Sequence, residues 1–531
     1  MRRWNGWGDD ANSMELPKSA GSFLRALIGD ALPLADASLQ SVCEQVPESR
    51  LPDHPLIDKS QEQRVRHATG QSLPDWLALR SGKLSVFPDG VSFPENNQDV
   101  RDLLALAKTD DLELIPYGGG TSVAGHVTPK ASSRAILTVD MGRMNQLLDL
   151  DEQSQIATFG AGTPGPMVEA QLRAKGYTLG HFPQSFELST IGGWVASRSS
   201  GQQSLRYGRI EQLFAGGELE TFGGTLDLPT FPASSAGPDL REIILGCEGR
   251  FGILTQVKVR VTRIAEQENF YVTFFPNWEA ASSFCRDAAQ QKITLSMLRV
   301  SNAVETRTQL KLAGHESVIG LLEKYLSKRS CGDNKCMLTY GITGSKGQNR
   351  ATSRQINRLS RQYKGISTGT MLGKRWQGNR FKLPYLREAL WLRGYAIDTL
   401  ETATDWKNVN RLQNEVEGAL REGLADENEL VHVFTHLSHV YSQGCSLYTS
   451  YLYRCADTYE ATHARWQKLK GLASQAIVDN HGTISHQHGV GKDHAPYLAK
   501  EKGELGMAVL SNLCQHFDPD KQLNPGTLLE D

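Results

Sequence analysis

Three groups of side chains in the second half of the chain carry chemistry that a fold would have to gather. Tyrosines stand at Tyr441, Tyr448, Tyr451 and Tyr453, followed by Arg454. A phenol moves protons only with a lowered pKa or a transient partner, and a β-strand of packed tyrosines is the alternative reading. The histidines fall in two sets. His432, His436 and His439 have no carboxylate or cysteine at ligand spacing, so structural hydrogen bonding is expected of them and no metal. His486 and His488 sit in a glycine-bearing loop running to Lys492, separated by Gln487, whose amide donates and accepts but cannot carry a proton. Arg299 and Arg387 form the third group. A guanidinium grips phosphate or carboxylate with two donors, which suits an anionic substrate; pairing with a nearby acid is the alternative.

Upstream, three segments offer backbone instead. Pro116-Tyr117-Gly118-Gly119-Gly120-Thr121-Ser122 follows a strand pattern. Its glycines let N–H groups converge on an anion without Cβ obstruction, and Thr121 and Ser122 add hydroxyls. It is not G-x-G-x-x-G, and no Walker lysine follows, so neither Rossmann nor P-loop chemistry is indicated. The second segment is Gln184-Ser185-Phe186-Glu187-Leu188-Ser189-Thr190, continuing through Gly192 and Gly193 to Ser197-Arg198-Ser199-Ser200. Its hydroxyls are too dense for a packed core to satisfy. The third is Glu248-Gly249-Arg250-Phe251-Gly252-Ile253-Leu254.

These segments need elements to hold them. Strands are expected at 85–87 and 91–93, then a helix capped by Asn96 or Asn97 with Val100, Leu103, Leu104 and Ala107 on its apolar face. A strand at 112–116 leads into the glycine loop, giving β-β-α-β. Further strands are expected at 135–139, 156–159 and 257–261, a helix at 167–174, and helical spacing over 20–39. The fold class expected is α+β. Residues 1–82 form a mostly helical extension, 83–264 a glycine-rich nucleotide domain, 265–455 an α+β cap built on an antiparallel sheet that binds substrate, and 456–531 a helical segment closing the active site. With 59 acidic and 57 basic residues in 531, the net charge of −2 gives no field to hold nucleic acid. A hydrophobic share of 39% supports large cores, and no apolar run is long enough for a membrane span. The basic opening lacks an apolar run, so no export signal is expected, and eight cysteines in so long a chain fit reduced thiols in a cytoplasm.

In order and spacing, the three backbone segments resemble the PCMH-type FAD-binding domain of the vanillyl-alcohol-oxidase superfamily. The chain is further similar, over nearly its whole length, to the alkyldihydroxyacetonephosphate synthase family. The pieces are RWNGWG at 3–8, PYGGGTS, QSFELSTIGGW, EGRFGIL, Leu400-Glu401-Thr402 with Trp406, His436-Leu437-Ser438-His439, and SHQHGVGK at 485–492. The resemblance implies FAD lined by all three segments, with the first two on its diphosphate. No histidine occupies the glycine loop, so non-covalent FAD is expected. The implied reaction has no net redox change: flavin N5 bonds the dihydroxyacetone-phosphate carbon as the acyl chain leaves, and a fatty alcohol then displaces the flavin, forming an ether lipid. By position, Tyr448 would move the substrate proton, His486 and His488 would stabilise the departing carboxylate or the phosphate, Arg387 would hold the anion, and Arg299 would be a second arginine needed for activity. In the synthases three consecutive histidines stand where this chain has His486-Gln487-His488. The alternative is an FAD-linked oxidoreductase taking hydride from a 2-hydroxy acid or related alcohol, with a histidine as base. Those dehydrogenases usually carry a histidine where this chain has Tyr448. A small-molecule or lipid substrate with an anionic head is implied, along with an apolar tunnel and peripheral contact with a membrane surface; a homodimer is left open.

Overall fold

The structure, a computed structural model, describes residues 2–312 and 316–530. Three sheets of four or more strands carry it, and Tyr177–Thr178 pairs with Thr262–Arg263 as a small two-stranded fourth. The first has four strands in the order Ile57–Asp58, Gly90–Ser92, Ile136–Asp140, Glu113–Tyr117. The last three run parallel, and the helix Asn97–Asp110 buries Val100, Leu103, Leu104 and Ala107 as the spacing requires, capped by the Asn96 side chain on Asp99 N. Residues 85–87 do not form the expected strand. Val86 packs on the cluster of Ile115, Tyr117, Val127 and Ile136, so its burial comes from packing, and the following Pro88 has no N–H for a ladder. The pairing partner at that edge is Ile57–Asp58 instead. The helical spacing over 20–39 is realised only as Lys18–Ile28, which ends at Gly29 with φ 87°.

The free edge of Glu113–Tyr117 is covered from the far end of the chain. Leu114 N donates to Gln522 O at 2.7 Å, and Asn524 N donates back to Leu114 O at 2.8 Å. The second sheet is antiparallel, in the order Leu147–Asp151, Ile156–Gly160, Ile253–Arg260, Phe214–Thr221, Gly224–Leu228.

The third sheet positions most of the ionisable groups. Its seven strands, antiparallel throughout, run in the order Ile366–Ser367, Gln267–Phe275, Cys336–Gly344, Met297–Ser301, His432–Val440, Gly444–Arg454, Tyr395–Asp405. On a strand alternate residues share a face. Glu401, Tyr448 and His436 are register partners on three adjacent strands, so they stand abreast. The helices Trp278–Gln290 and Val409–Glu422 bury apolar faces in the core shared with this sheet. Two long helices, Tyr459–Asp479 and Ala495–Phe517, close the chain, the second broken at Gly503 (φ 68°). Cys43, Cys247, Cys285, Cys331, Cys336, Cys445 and Cys455 are free thiols. Among the described residues, no helix is long and apolar enough to cross a membrane.

Candidate active site

Two walls enclose a cavity of about 1360 Å³. That exceeds the ~300–1,000 Å³ of an ordinary small-ligand pocket, so there is room for a large cofactor and a substrate together. One wall is backbone. The loop Gly118–Gly120 presses against residues 188–190: a Cβ on Gly119 would stand 1.8 Å from Leu188 O, and one on Gly118 2.4 Å from Thr190 Oγ1. Only glycine permits this approach. Thr190 caps the helix Ile191–Ala196 through Gly193 N, and Trp194 Nε1 donates to Ser189 Oγ at 2.7 Å, fixing the second segment. The N-terminal strap reaches the same loop, with Arg2 donating to Gly119 O at 2.6 Å and Trp7 on the cavity wall.

The other wall is one face of the third sheet. Met297, Arg299 and Ser301 line it, as do Phe434, His436 and Ser438, then Tyr448 and Ser450, then Ile397 and Thr399, each set at a spacing of two. A bulge between Leu437 and Val440 adds His439 to the same face, where strict alternation would turn it away.

The charged groups at the cavity are paired with protein partners. Arg299 donates to Glu305 at 2.8 Å, and His436 Nδ1 lies 3.2 Å from Arg299 and 3.0 Å from Glu305. Burial opposes the charge on Glu305, but His436 and Arg299 outweigh it and hold the carboxyl down to about 2. Arg387 donates to Asp398 at 3.1 Å and to Gln71 O at 2.7 Å. Asp398 also accepts from Trp466 Nε1 at 2.7 Å and Tyr451 OH at 3.2 Å. Tyr448 donates to Thr399 Oγ1 at 3.2 Å, and its ring stacks on His436 with centroids 4.8 Å apart. Burial pushes its phenol up to about 12, with Arg299 pulling the other way. Tyr448 is therefore a phenol, not a phenolate, at neutral pH. The His488 ring has no hydrogen-bond partner among the described residues, meets Tyr448 edge-on at 6.0 Å, and opens on the cavity; burial lowers its pKa.

Glu401, His439 and His486 bring three candidate ligand atoms within 4.8 Å of one another. Hydrogen bonding argues against a cation there. Arg209 Nη1 and Tyr441 OH both approach His486 Nε2, at 2.6 and 2.7 Å. A guanidinium only donates, so Nε2 accepts, and the proton of the neutral ring stands on Nδ1, facing Glu401 Oε1 at 3.3 Å. That nitrogen has no lone pair for a metal.

Comparison with known proteins gives the same picture. The family described as "FAD binding domain" matches residues 88–226, and "FAD linked oxidases, C-terminal domain" matches residues 264–528. Alkyldihydroxyacetonephosphate synthase of Dictyostelium discoideum is 28% identical, over 99% of this chain and 93% of its own. That of Trypanosoma brucei brucei is 26% identical, over 99% and 92%. A solved structure of alkyldihydroxyacetonephosphate synthase superposes with a TM-score of 0.85 at 26% identity, covering 99% of this chain and 98% of that one. The chain belongs to the PCMH-type FAD-binding flavoproteins. Within them it is alkyldihydroxyacetonephosphate synthase-like over its whole length, an FAD-dependent enzyme. The α+β class and the antiparallel cap sheet follow the sequence reading.

Not every residue singled out in the sequence faces the flavoprotein's cavity. Of the first segment, all seven positions from Pro116 to Ser122 do. Gln184, Ser185, Ser189, Thr190, Gly192, Gly193, Ser197, Ser199 and Ser200 do so from the second, and Glu248, Gly249, Gly252, Ile253 and Leu254 from the third. Six others are not among its lining residues. Phe186 packs between Phe182 and Phe381, and Glu187 accepts from Tyr385 OH at 2.8 Å. Leu188 gives only its carbonyl to the Gly119 approach, and Arg198 pairs with Glu242 at 2.6 Å. Arg250 reaches Asn524 O, and Phe251 stacks on Phe517. Glu248 reaches the wall, but its carboxylate accepts from Val490 N at 2.5 Å and Gly491 N at 2.8 Å and faces His126 at 3.2 Å. It buckles the His488 loop to the cofactor loop.

Of the residues expected to act on substrate, Tyr448, His488, Arg299 and Arg387 line the cavity. His486 is a correction. It is buried behind the wall, held by Arg209, Tyr441 and Glu401, and burial lowers its pKa to about 4. It supports the site without reaching into it. Glu401, Arg209 and His126 went unassigned in the sequence. Glu401 lay inside a quoted motif, and only the sheet register reveals its place beside Tyr448.

Proposed function

We propose that this flavoenzyme exchanges the acyl chain of acyl-dihydroxyacetone phosphate for a fatty alcohol. The observation that carries the reading is what one cavity brings together: a glycine and hydroxyl wall, Tyr448 between His436 and His488, Arg299 and Arg387, and an apolar part of the lining. That apolar part includes Val272, Leu310, Leu312, Ile319, Leu322 and Leu372. When bound, FAD supplies a reversible electrophile, held by the glycine loop and the 184–200 segment. Its attachment is non-covalent. The loop from Pro116 to Ser122 has no histidine or cysteine. His126, four residues on, is engaged by Ser122 Oγ at 2.5 Å and by Glu248, and burial keeps the Cys247 thiol neutral, pushed up to about 12.

Arg387 binds the anionic head while Asp398 fixes its orientation. Tyr448 moves the substrate proton, acting as base from its phenolate and returning the proton as phenol. Burial disfavours that phenolate; the Thr399 hydrogen bond and Arg299 pull toward it. His488 supplies a donor or acceptor to the departing group. The chains lie against the apolar part of the lining, where Val318 and Met371 are exposed; this exposed part would rest on a membrane surface. One feature favours the second reading, oxidation of a 2-hydroxy acid: the open ring of His488 could serve as base.

The test is an anaerobic absorbance titration. Bleaching by acyl-dihydroxyacetone phosphate, recovery with fatty alcohol and an alkyl ether product support the exchange. A flavin untouched by that substrate but bleached by a 2-hydroxy acid, until an electron acceptor is added, overturns it in favour of the dehydrogenase.

A further inference from the structure

Gln487 stands on the cavity wall between the buried His486 and the open His488. Its Nε2 donates to Oε2 of Glu401. Glu401 is itself buried; its Oε1 accepts from Ser438 Oγ and, at 2.9 Å, from Ser446 Oγ. Burial opposes its charge, but His486 and His439 outweigh this and hold the carboxyl well below the usual range. An ionised carboxylate only accepts. The NH₂ of Gln487 must therefore face Glu401, and its Oε1 must point the other way. That oxygen has no hydrogen-bond partner among the described residues. The chain is pinned at the preceding residue as well: Arg209 Nη2 donates to His486 O at 3.0 Å while Nη1 holds the ring.

We propose that Gln487 is a fixed hydrogen-bond acceptor that seats the hydroxyl of a neutral alcohol and disfavours a carboxylate at the same point, with Glu401 as its positioning residue. An alcohol O–H can donate to Oε1. A carboxylate has no proton to give and would meet the oxygen's lone pairs with the charge of Glu401 behind them. The site thus favours the chain that enters over an acid of the same length. This rests on the reading that long-chain substrates occupy the cavity.

The test is equilibrium binding of radiolabelled 1-hexadecanol and hexadecanoate to flavin-loaded protein, in the wild type, Glu401→Gln and Gln487→Met. The wild type should prefer the alcohol by roughly tenfold, the worth of about one hydrogen bond. Glu401→Gln frees the Gln487 amide to turn its donors outward, so the alcohol-to-acid ratio should fall by roughly tenfold. Gln487→Met leaves Glu401 and the histidines in place and should weaken the alcohol alone. Flavin absorbance confirms that each variant is folded, and general loosening would weaken both ligands without moving their ratio. A wild type that prefers the acid, or one ratio shared by all three proteins, overturns the inference alone. Failure of the wild type to bind either compound overturns the chain-exchange reading and this inference with it.

Discussion

The two walls of the cavity recognise by different means. The cofactor wall is backbone and small side chains at fixed contact, where Gly119 has no room for a methyl group against Leu188. The substrate wall is ionisable side chains, Arg299 and Tyr448 on one sheet face and Arg387 on the helix Pro384–Trp391, each engaged with a protein partner: Arg299 with Glu305, Arg387 with Asp398, Tyr448 with Thr399. A steric wall is either formed or broken. A wall of paired charges is graded, because an incoming anion competes with a partner already present, and each partner can be removed separately. Substitution should therefore act as a switch on the first wall and as a dial on the second.

The largest effect falls on the first wall. Gly119→Ala should yield protein without flavin absorbance after gel filtration, since Leu188 O is backbone and cannot move aside. Tyr448→Phe tests the second wall: flavin binding should persist while turnover falls about 10²–10⁴-fold, as for loss of a general acid–base group. Arg387→Met should raise KM for the anionic substrate and lower stability by roughly 3–5 kcal/mol, because buried Asp398 loses its cation. Adding Asp398→Asn should restore part of that stability but not the KM, measured by denaturant unfolding and steady-state kinetics.

A smaller effect is set by pH. Burial depresses His181 to about 3 and His432 and His486 to about 4. As pH falls below about 6.5 the unfolded chain takes up these protons first, so stability is full near neutrality and is lost towards pH 4, by up to roughly 1.4 kcal/mol per unit for each ring. Thermal unfolding across that window should show the midpoint falling on acidification, and His432→Phe should flatten the slope. The smallest effect expected is none: dialysis against a chelator should leave turnover unchanged, because His486 Nδ1 carries a proton toward Glu401.

The cofactor wall was more legible in the sequence than the substrate wall. Local runs such as Gly118-Gly119-Gly120 and the hydroxyl-rich 184–200 segment write their function in adjacent letters. Even there, alternation hid the support residues: Phe186 and Phe251 sit inside the motifs yet turn into the core. The substrate wall is built from strands far apart in the chain. Tyr448 and Arg299 could be named individually, but the row of Glu401, Tyr448 and His436 exists only once the register is set. His486 and His488 looked equivalent as letters. Arg209, nearly 280 residues away, separates them by claiming the first. His439 reaches the cavity through a one-residue bulge, which no period-two reading supplies.

The bonds between Leu114 and residues 522–524 have a consequence for how the protein is made. The strand that ends in the glycine loop borrows its last neighbour from a segment translated more than 400 residues later. While the ribosome is still working, that strand has a bare edge and the 248–254 segment lacks Asn524, whose Nδ2 donates to Glu248 O at 2.7 Å. Flavin uptake should therefore wait until residues 522–524 have emerged, and a product stalled or clipped before them should be colourless and prone to aggregate.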